Sequence, residues 1–285
     1  ITKAQQYNDK LSEPDRYRIQ ILEKAIEGND KAAVKLLEEA VRRFPSEIEF
    51  RTYLAGYYQY YRHDLDRALE EYEIAREMDP SRKLIYNNLG YLHAERGDFT
   101  TAFKYFDKYQ ELAPDEPNPY DSKGEILIRA GRFEEAIDVL TTAVEKWPEF
   151  YHPYARLTEV FSEMGDFNKT FYYLDKLSDI PNDAKYKYEY FSQKGAYLWR
   201  FGKYTEASKM FEKEILESPS SVPVLTIASL MYASTGKNEA LHRLQQNAFD
   251  WYRRNINTVI QNTDQFVDVL FFLLESQIPK KEFIS

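Results

Sequence analysis

With 285 residues, no cysteine and a net charge of −9, the chain is long enough for one or two domains or for one extended array, and disulfides and thiolate metal sites are excluded. The acidic balance argues against nucleic acid and anionic membrane surfaces as partners, because both would be repelled on average. Aromatic residues make up 16% of the chain, which argues against disorder, and 24 of them are tyrosines whose hydroxyls need water or a partner. The longest apolar run, Val269 to Leu274, is too short to insert across a bilayer. The first residue is Ile1 rather than Met, which points to a processed product or an excised fragment, with any targeting segment or partner domain outside the sequence. A soluble chain is expected, cytoplasmic or exported.

In chain order, a first helical hairpin is expected over 14–47, marked by Gly28, Ala33, Leu37, Ala40 and Pro45. After a one-residue slip, three units follow at 49–82, 83–116 and 117–150 in one register. Gly56, Gly90 and Gly124 are 34 residues apart, as are Ala68, Ala102 and Ala136, and Pro80, Pro114 and Pro148. A fifth unit at 151–184 carries Tyr154, Leu157, Phe161, Gly165 and Leu174, with Thr170 in place of the small alanine. Lys185 to Lys187 read as an insertion before a sixth unit at 188–221, with Gly195, Leu198, Gly202, Ala207, Phe211 and Pro219. A seventh, at 222–250, keeps Leu225, Ala228, Tyr232 and Gly236 and then degenerates. The period is lost over 251–285, where capping helices and a tail are expected.

Every glycine of the chain falls at position eight or fifteen of a unit. Glycine inside a helix costs about 1 kcal/mol relative to alanine, so position eight implies a close approach of two helices. Position fifteen reads as the left-handed residue that ends a first helix, and the prolines end the second helices. Each unit is therefore a helix-turn-helix that cannot bury its apolar face alone, and stacking the units buries a continuous core in one array.

This 34-residue register resembles the tetratricopeptide repeat (TPR). The resemblance implies an all-α, TPR-type right-handed superhelical solenoid of antiparallel helix pairs, with the first helices lining a concave groove that takes extended peptides or partner helices. Positions two, five, six, nine, twelve and thirteen are the usual groove positions of such repeats. They place Tyr53, Tyr57, Tyr60 and Tyr61 in the groove from the second unit, and Asn87, Asn88, Tyr91 and Glu95 from the third. The fourth presents Asp121, Glu125 and Arg129, the fifth Arg156, Glu159 and Glu163, and the sixth Gln193, Trp199 and Arg200. Tyrosines with nearby carboxylates suit proline, arginine or lysine side chains. The alternative for each tyrosine is packing between adjacent first helices.

The TPR subclass that clamps the carboxylate tail of chaperones uses lysines that are missing from the nearest match here, Asn87, Tyr91, Ser122, His152 and Arg156. The region from Leu11 to Phe150, centred on Leu112 to Glu125, is similar to TPR regions attached to bacterial protein kinases, nucleotide cyclases and transcriptional regulators. That similarity implies a sensory or regulatory module binding a small ligand as the alternative to a peptide-binding scaffold.

No catalytic constellation, phosphate loop or metal-ligand spacing is found, so no enzyme activity, cofactor or metal is expected. His63, His93, His152 and His242 stand in different units. The acidic pairs Glu38-Glu39, Glu70-Glu71 and Glu134-Glu135 read as solvated faces of second helices. A protein or peptide partner is expected, and no nucleic acid. The apolar stretch around Phe271 and Phe272 is read as a cap on the last repeat, with homodimerisation as the alternative.

Overall fold

Among the residues described by the computed structural model, 11–180 and 184–217, every regular element is a helix. In chain order these are α1 (Glu13–Ile26), α2 (Asp30–Arg43), α3 (Ile48–Tyr60), α4 (Leu65–Met78), α5 (Lys83–Glu95), α6 (Phe99–Leu112), α7 (Asn118–Arg129), α8 (Phe133–Lys146), α9 (Tyr151–Glu163), α10 (Phe167–Asp179), α11 (Ala184–Arg200) and α12 (Tyr204–Glu217). Odd-numbered helices pair with the even-numbered helix that follows. The fold is the all-α hairpin packing of a TPR-type solenoid. The chain divides into two compact units, Ile1–Trp147 and Pro148–Ser285, with α1 to α8 in the first and α9 to α12 in the second. The seventh repeat expected at 222–250 and the capping segment at 251–285, with Phe271 and Phe272, lie outside the described residues.

The two glycine positions differ in backbone conformation, as their two roles require. Gly28, Gly97, Gly131, Gly165 and Gly202, all at position fifteen, have φ between 67° and 80°. Each ends a first helix in a Schellman turn, in which the N–H of position sixteen donates to the carbonyl of position eleven, as from Asp98 to His93 at 2.9 Å and from Arg132 to Leu127 at 2.9 Å. In three of these turns the residue at position sixteen, Asn29, Asp98 or Asp166, then caps the second helix by accepting a backbone N–H through its side chain, and Asp64 does the same between α3 and α4.

Position-eight glycines are helical, and three of them are sterically required. A Cβ at Gly90 would stand 2.7 Å from the Phe106 ring, at Gly124 2.5 Å from Leu140, and at Gly195 2.6 Å from Phe211. The partner is position 24 of the same repeat each time, so the missing side chain lets the second helix lay its largest core residue against the first helix. At Gly56 the nearest atom is the Tyr72 hydroxyl at 3.7 Å, an ordinary contact.

The core follows the repeat. Position 20 is Ala33, Ala68, Ala102, Ala136, Thr170 and Ala207, all fully buried. Position 24 is Leu37, Tyr72, Phe106, Leu140, Leu174 and Phe211, exposed by 2% or less. Thr170 fits the alanine site because its hydroxyl donates to the Asp166 carbonyl at 2.8 Å, so no polar atom is stranded.

The three inserted residues, Lys185 to Lys187, lie in the first turn of α11, which starts at Ala184; none of them is a glycine or proline that would resist helix formation. One expectation is corrected: not all the acidic pairs face solvent. Glu38 accepts the Tyr58 hydroxyl at 2.9 Å, and Glu39 accepts that of Tyr17 at 2.6 Å. Glu71 pairs with Arg51 at 2.7 Å, both side chains 17% exposed. Glu70, Glu134 and Glu135 are exposed as expected.

Candidate functional site

Helices α1 and α3, the first helices of successive repeats, leave between them a groove of about 470 Å³. Its walls are Arg18, Leu22 and Ala25 on α1 and Tyr53, Gly56 and Tyr60 on α3, with Ile21, Thr52, Tyr57 and Tyr61 completing it. Four tyrosines expected at the groove positions of the second repeat therefore share one concavity. Helical spacing explains this: Tyr57 follows Tyr53 by four residues, and Tyr60 and Tyr61 follow Tyr57 by three and four, so all four fall on one face. Leu22 is 52% exposed, Tyr53 52%, Tyr60 61% and Tyr61 58%, so the groove is open and its apolar surface is in contact with water. Ile26, one turn beyond Leu22 on α1, is also exposed.

The tyrosines divide between packing and display. Tyr57 is half-buried, packs against the main core cluster and stacks on Tyr61 with ring centroids 4.8 Å apart. Burial, then the charges of Tyr61 and Asp30, push its hydroxyl pKa upward. Burial, then the charge of Glu95, do the same to Tyr60. Arg18 is the one ionisable lining residue besides the tyrosines. It donates to Asp15 at 2.7 Å and to Glu47, with Glu49 at 3.9 Å, and its guanidinium lies over Phe50.

The remaining expected groove residues are dispersed over other helices, and several are engaged with each other. On α5, Tyr91 packs edge-on against Phe106 and donates to Glu125 of α7 at 3.1 Å; burial is the main cause raising its pKa. Glu95 accepts the side-chain amide of Gln59 at 2.9 Å. Asn87, Asn88 and Asp121 are half-buried, and Arg129 is exposed. In the second unit, Arg156 lies 3.9 Å from Glu159, Arg200 pairs with Glu163 at 2.7 Å, Trp199 packs on Tyr204, and Gln193 is half-buried. Among the described residues no group of His, Asp or Glu is arranged to hold a metal ion, and no helix is long and apolar enough to cross a membrane.

The α1 wall was missed in the sequence. Arg18, Leu22 and Ala25 occupy positions five, nine and twelve of the first repeat, so the register applied to the other repeats would have found them.

Helix pairs turned at left-handed glycines, joined at a fixed period and offering an open groove between first helices, define a helical-repeat protein of the interaction type. Tetratricopeptide repeat models match residues 53–117 and 120–150. Both matched segments are tetratricopeptide repeats. PilW, a type IV pilus biogenesis factor, has the same fold at 19% identity, covering 76% of this chain and 99% of that chain with a TM-score of 0.60. A tetratricopeptide repeat protein from Parabacteroides merdae ATCC 43184 is 15% identical over 82% of this chain and 91% of that chain, with a TM-score of 0.61. The Cut9–Hcn1 assembly of the APC/C contains a chain that is 14% identical over 82% of this chain and 45% of its own length, with a TM-score of 0.55. No curated protein matches the sequence significantly.

Proposed function

We propose that the chain is a non-catalytic docking scaffold that holds a peptide segment or partner helix of another protein in the groove between α1 and α3. Repeats of this family serve protein interaction, and the chain is an interaction scaffold in that general sense. The observation that carries the finer reading is the exposure of Tyr53, Tyr60 and Tyr61 beside Leu22 in one concave groove. Large aromatic side chains left in water on a soluble surface mark a contact site, and tyrosine provides rigid amphipathic area at a small ordering cost.

Tyr57 serves packing as well as display, so the discriminating variant is Tyr53→Ala with Tyr60→Ala and Tyr61→Ala, leaving Tyr57 in place. Its helical circular dichroism and melting should match the wild type, because the removed rings are more than half in solvent. Immobilised wild-type chain should retain partner proteins that the triple variant releases, scored by quantitative mass spectrometry. Identical retention by both chains would remove the groove as the docking site.

A further inference from the structure

We propose that the segment this groove selects is basic: an arginine or lysine side chain laid on the open tyrosine faces, flanked by apolar residues seated between α1 and α3. The inference rests on the docking role of the groove and adds the chemistry of its occupant.

The charges surrounding the lining carry it. Arg18 is already matched by Asp15 and Glu47, and Glu49 close by is paired with Arg82, so that end of the groove holds three carboxylates for two guanidiniums. On the α3 side, the hydrogen-bond partner of Glu95 is the neutral amide of Gln59 rather than a cation, and Glu95 acts on Tyr60. Asp30 acts likewise on Tyr57. A cation entering here gains from carboxylates and ring faces together, whereas a carboxylate or phosphate meets repulsion from both.

The aromatic faces provide a second, independent argument. Elsewhere several rings are covered by the molecule's own cations: Arg67 lies 5.4 Å from the Tyr58 ring centre, Arg132 4.5 Å from Phe103, and Lys169 4.7 Å from Phe161. Among the described residues no Lys or Arg lies over Tyr53, Tyr57, Tyr60 or Tyr61. Of the exposed rings of the described residues, Tyr172 carries Lys176, whereas Tyr53, Tyr60 and Tyr61 in the groove carry no internal cation, and neither does Tyr204 in the second unit. Gly56 sits among them, and its contact with Tyr72 does not require a glycine. A bare backbone there gives an incoming chain room to approach. The net charge of −9 would also draw a basic segment in over longer distances.

The test is a phage selection of random peptides on the immobilised full chain, with the Y53A/Y60A/Y61A and Glu95→Gln variants as counter-targets. Recovered peptides should be enriched in Arg or Lys next to apolar residues. They should lose roughly ten-fold or more in affinity on the triple variant. They should also bind more weakly to Glu95→Gln and at raised salt. Neutral or acidic peptides that depend on the tyrosines would overturn the basic occupant and leave the docking groove standing. Recovery of no peptide that depends on the tyrosines would overturn both.

Discussion

Gly56 and Gly90 occupy the same repeat position and should respond oppositely to the same substitution. Alanine at either place gains about 1 kcal/mol of helix propensity. At Gly90 the added carbon would lie 2.7 to 2.9 Å from three carbons of the buried Phe106 ring, so the ring or the helix must move. Overpacking of that kind typically costs 1–3 kcal/mol, about as much as or more than the propensity gain. Gly90→Ala is expected to be destabilising by about 1 kcal/mol, and Gly56→Ala to be stabilising by about 0.5–1 kcal/mol, in urea unfolding. A destabilised Gly56→Ala would show that the groove floor is tighter than its 3.7 Å contact implies. The glycine period was plain in the sequence, but this difference between its members was not. It depends on how far the side chain at position 24 reaches toward position eight, and Tyr72 and Phe106 look equivalent as letters.

At the level of the helix pair, the turn between α3 and α4 departs from its counterparts. Position fifteen is His63 there, at φ 51°, the one residue other than glycine with a positive φ among the described residues. Its turn is also looser: the Asp64 N–H donates to the carbonyl of Tyr58, one residue further back than in the Schellman turns. A side chain in the left-handed region costs about 1–2 kcal/mol, and glycine returns part of that through its larger unfolded-state entropy. His63→Gly should therefore raise stability by about 0.5–1 kcal/mol, read as a higher urea midpoint with an unchanged slope. No gain would mean that the His63 side chain makes compensating contacts. The helix pairs, their caps and the buried faces were legible in the sequence because each repeats a local rule: small at position 20, large at position 24, glycine at fifteen. Pairs that join different helices were not. Glu71 reads as one of many surface acids until α3 brings Arg51 to within 2.7 Å, and Glu49 and Arg82, 33 residues apart, meet at 2.5 Å. The same two repeat positions hold Lys83 and Glu116, again paired but with the charges exchanged, so only the contact recurs and no residue type marks it. The groove was half legible for a related reason. The tyrosines on α3 stand out by composition, whereas Leu22 and Ala25 look like core residues of an amphipathic helix until the facing surface is known.

For the molecule as a whole, the many tyrosines tie stability to alkaline pH. Burial is the leading cause holding the hydroxyl pKa values of Tyr72, Tyr91 and Tyr105 above the ordinary value of 10, and Tyr105, which also donates to Glu73 at 2.5 Å, is pushed up to about 12. These residues lie in neighbouring repeats of the first unit, and Tyr72 belongs to the central core cluster. In the unfolded chain the same phenols release their protons near pH 10. The folded state then binds more protons than the unfolded one, so their contribution is whole below about pH 10 and is lost as pH rises toward 12 and beyond. Because stacked repeats support one another, opening around one ionised ring should spread. The expected result is helical circular dichroism that holds to about pH 10 and then falls cooperatively, together with a step in phenolate absorbance. Lysines also lose their charge in this range and weaken ion pairs, so the contribution of the phenols needs its own control. Tyr72→Phe and Tyr105→Phe remove an ionisable group and leave the lysines untouched, so each should move the transition to higher pH. An unmoved transition in both variants, or smooth phenolate titration with the helices intact, would show that these hydroxyls reach solvent in the folded chain.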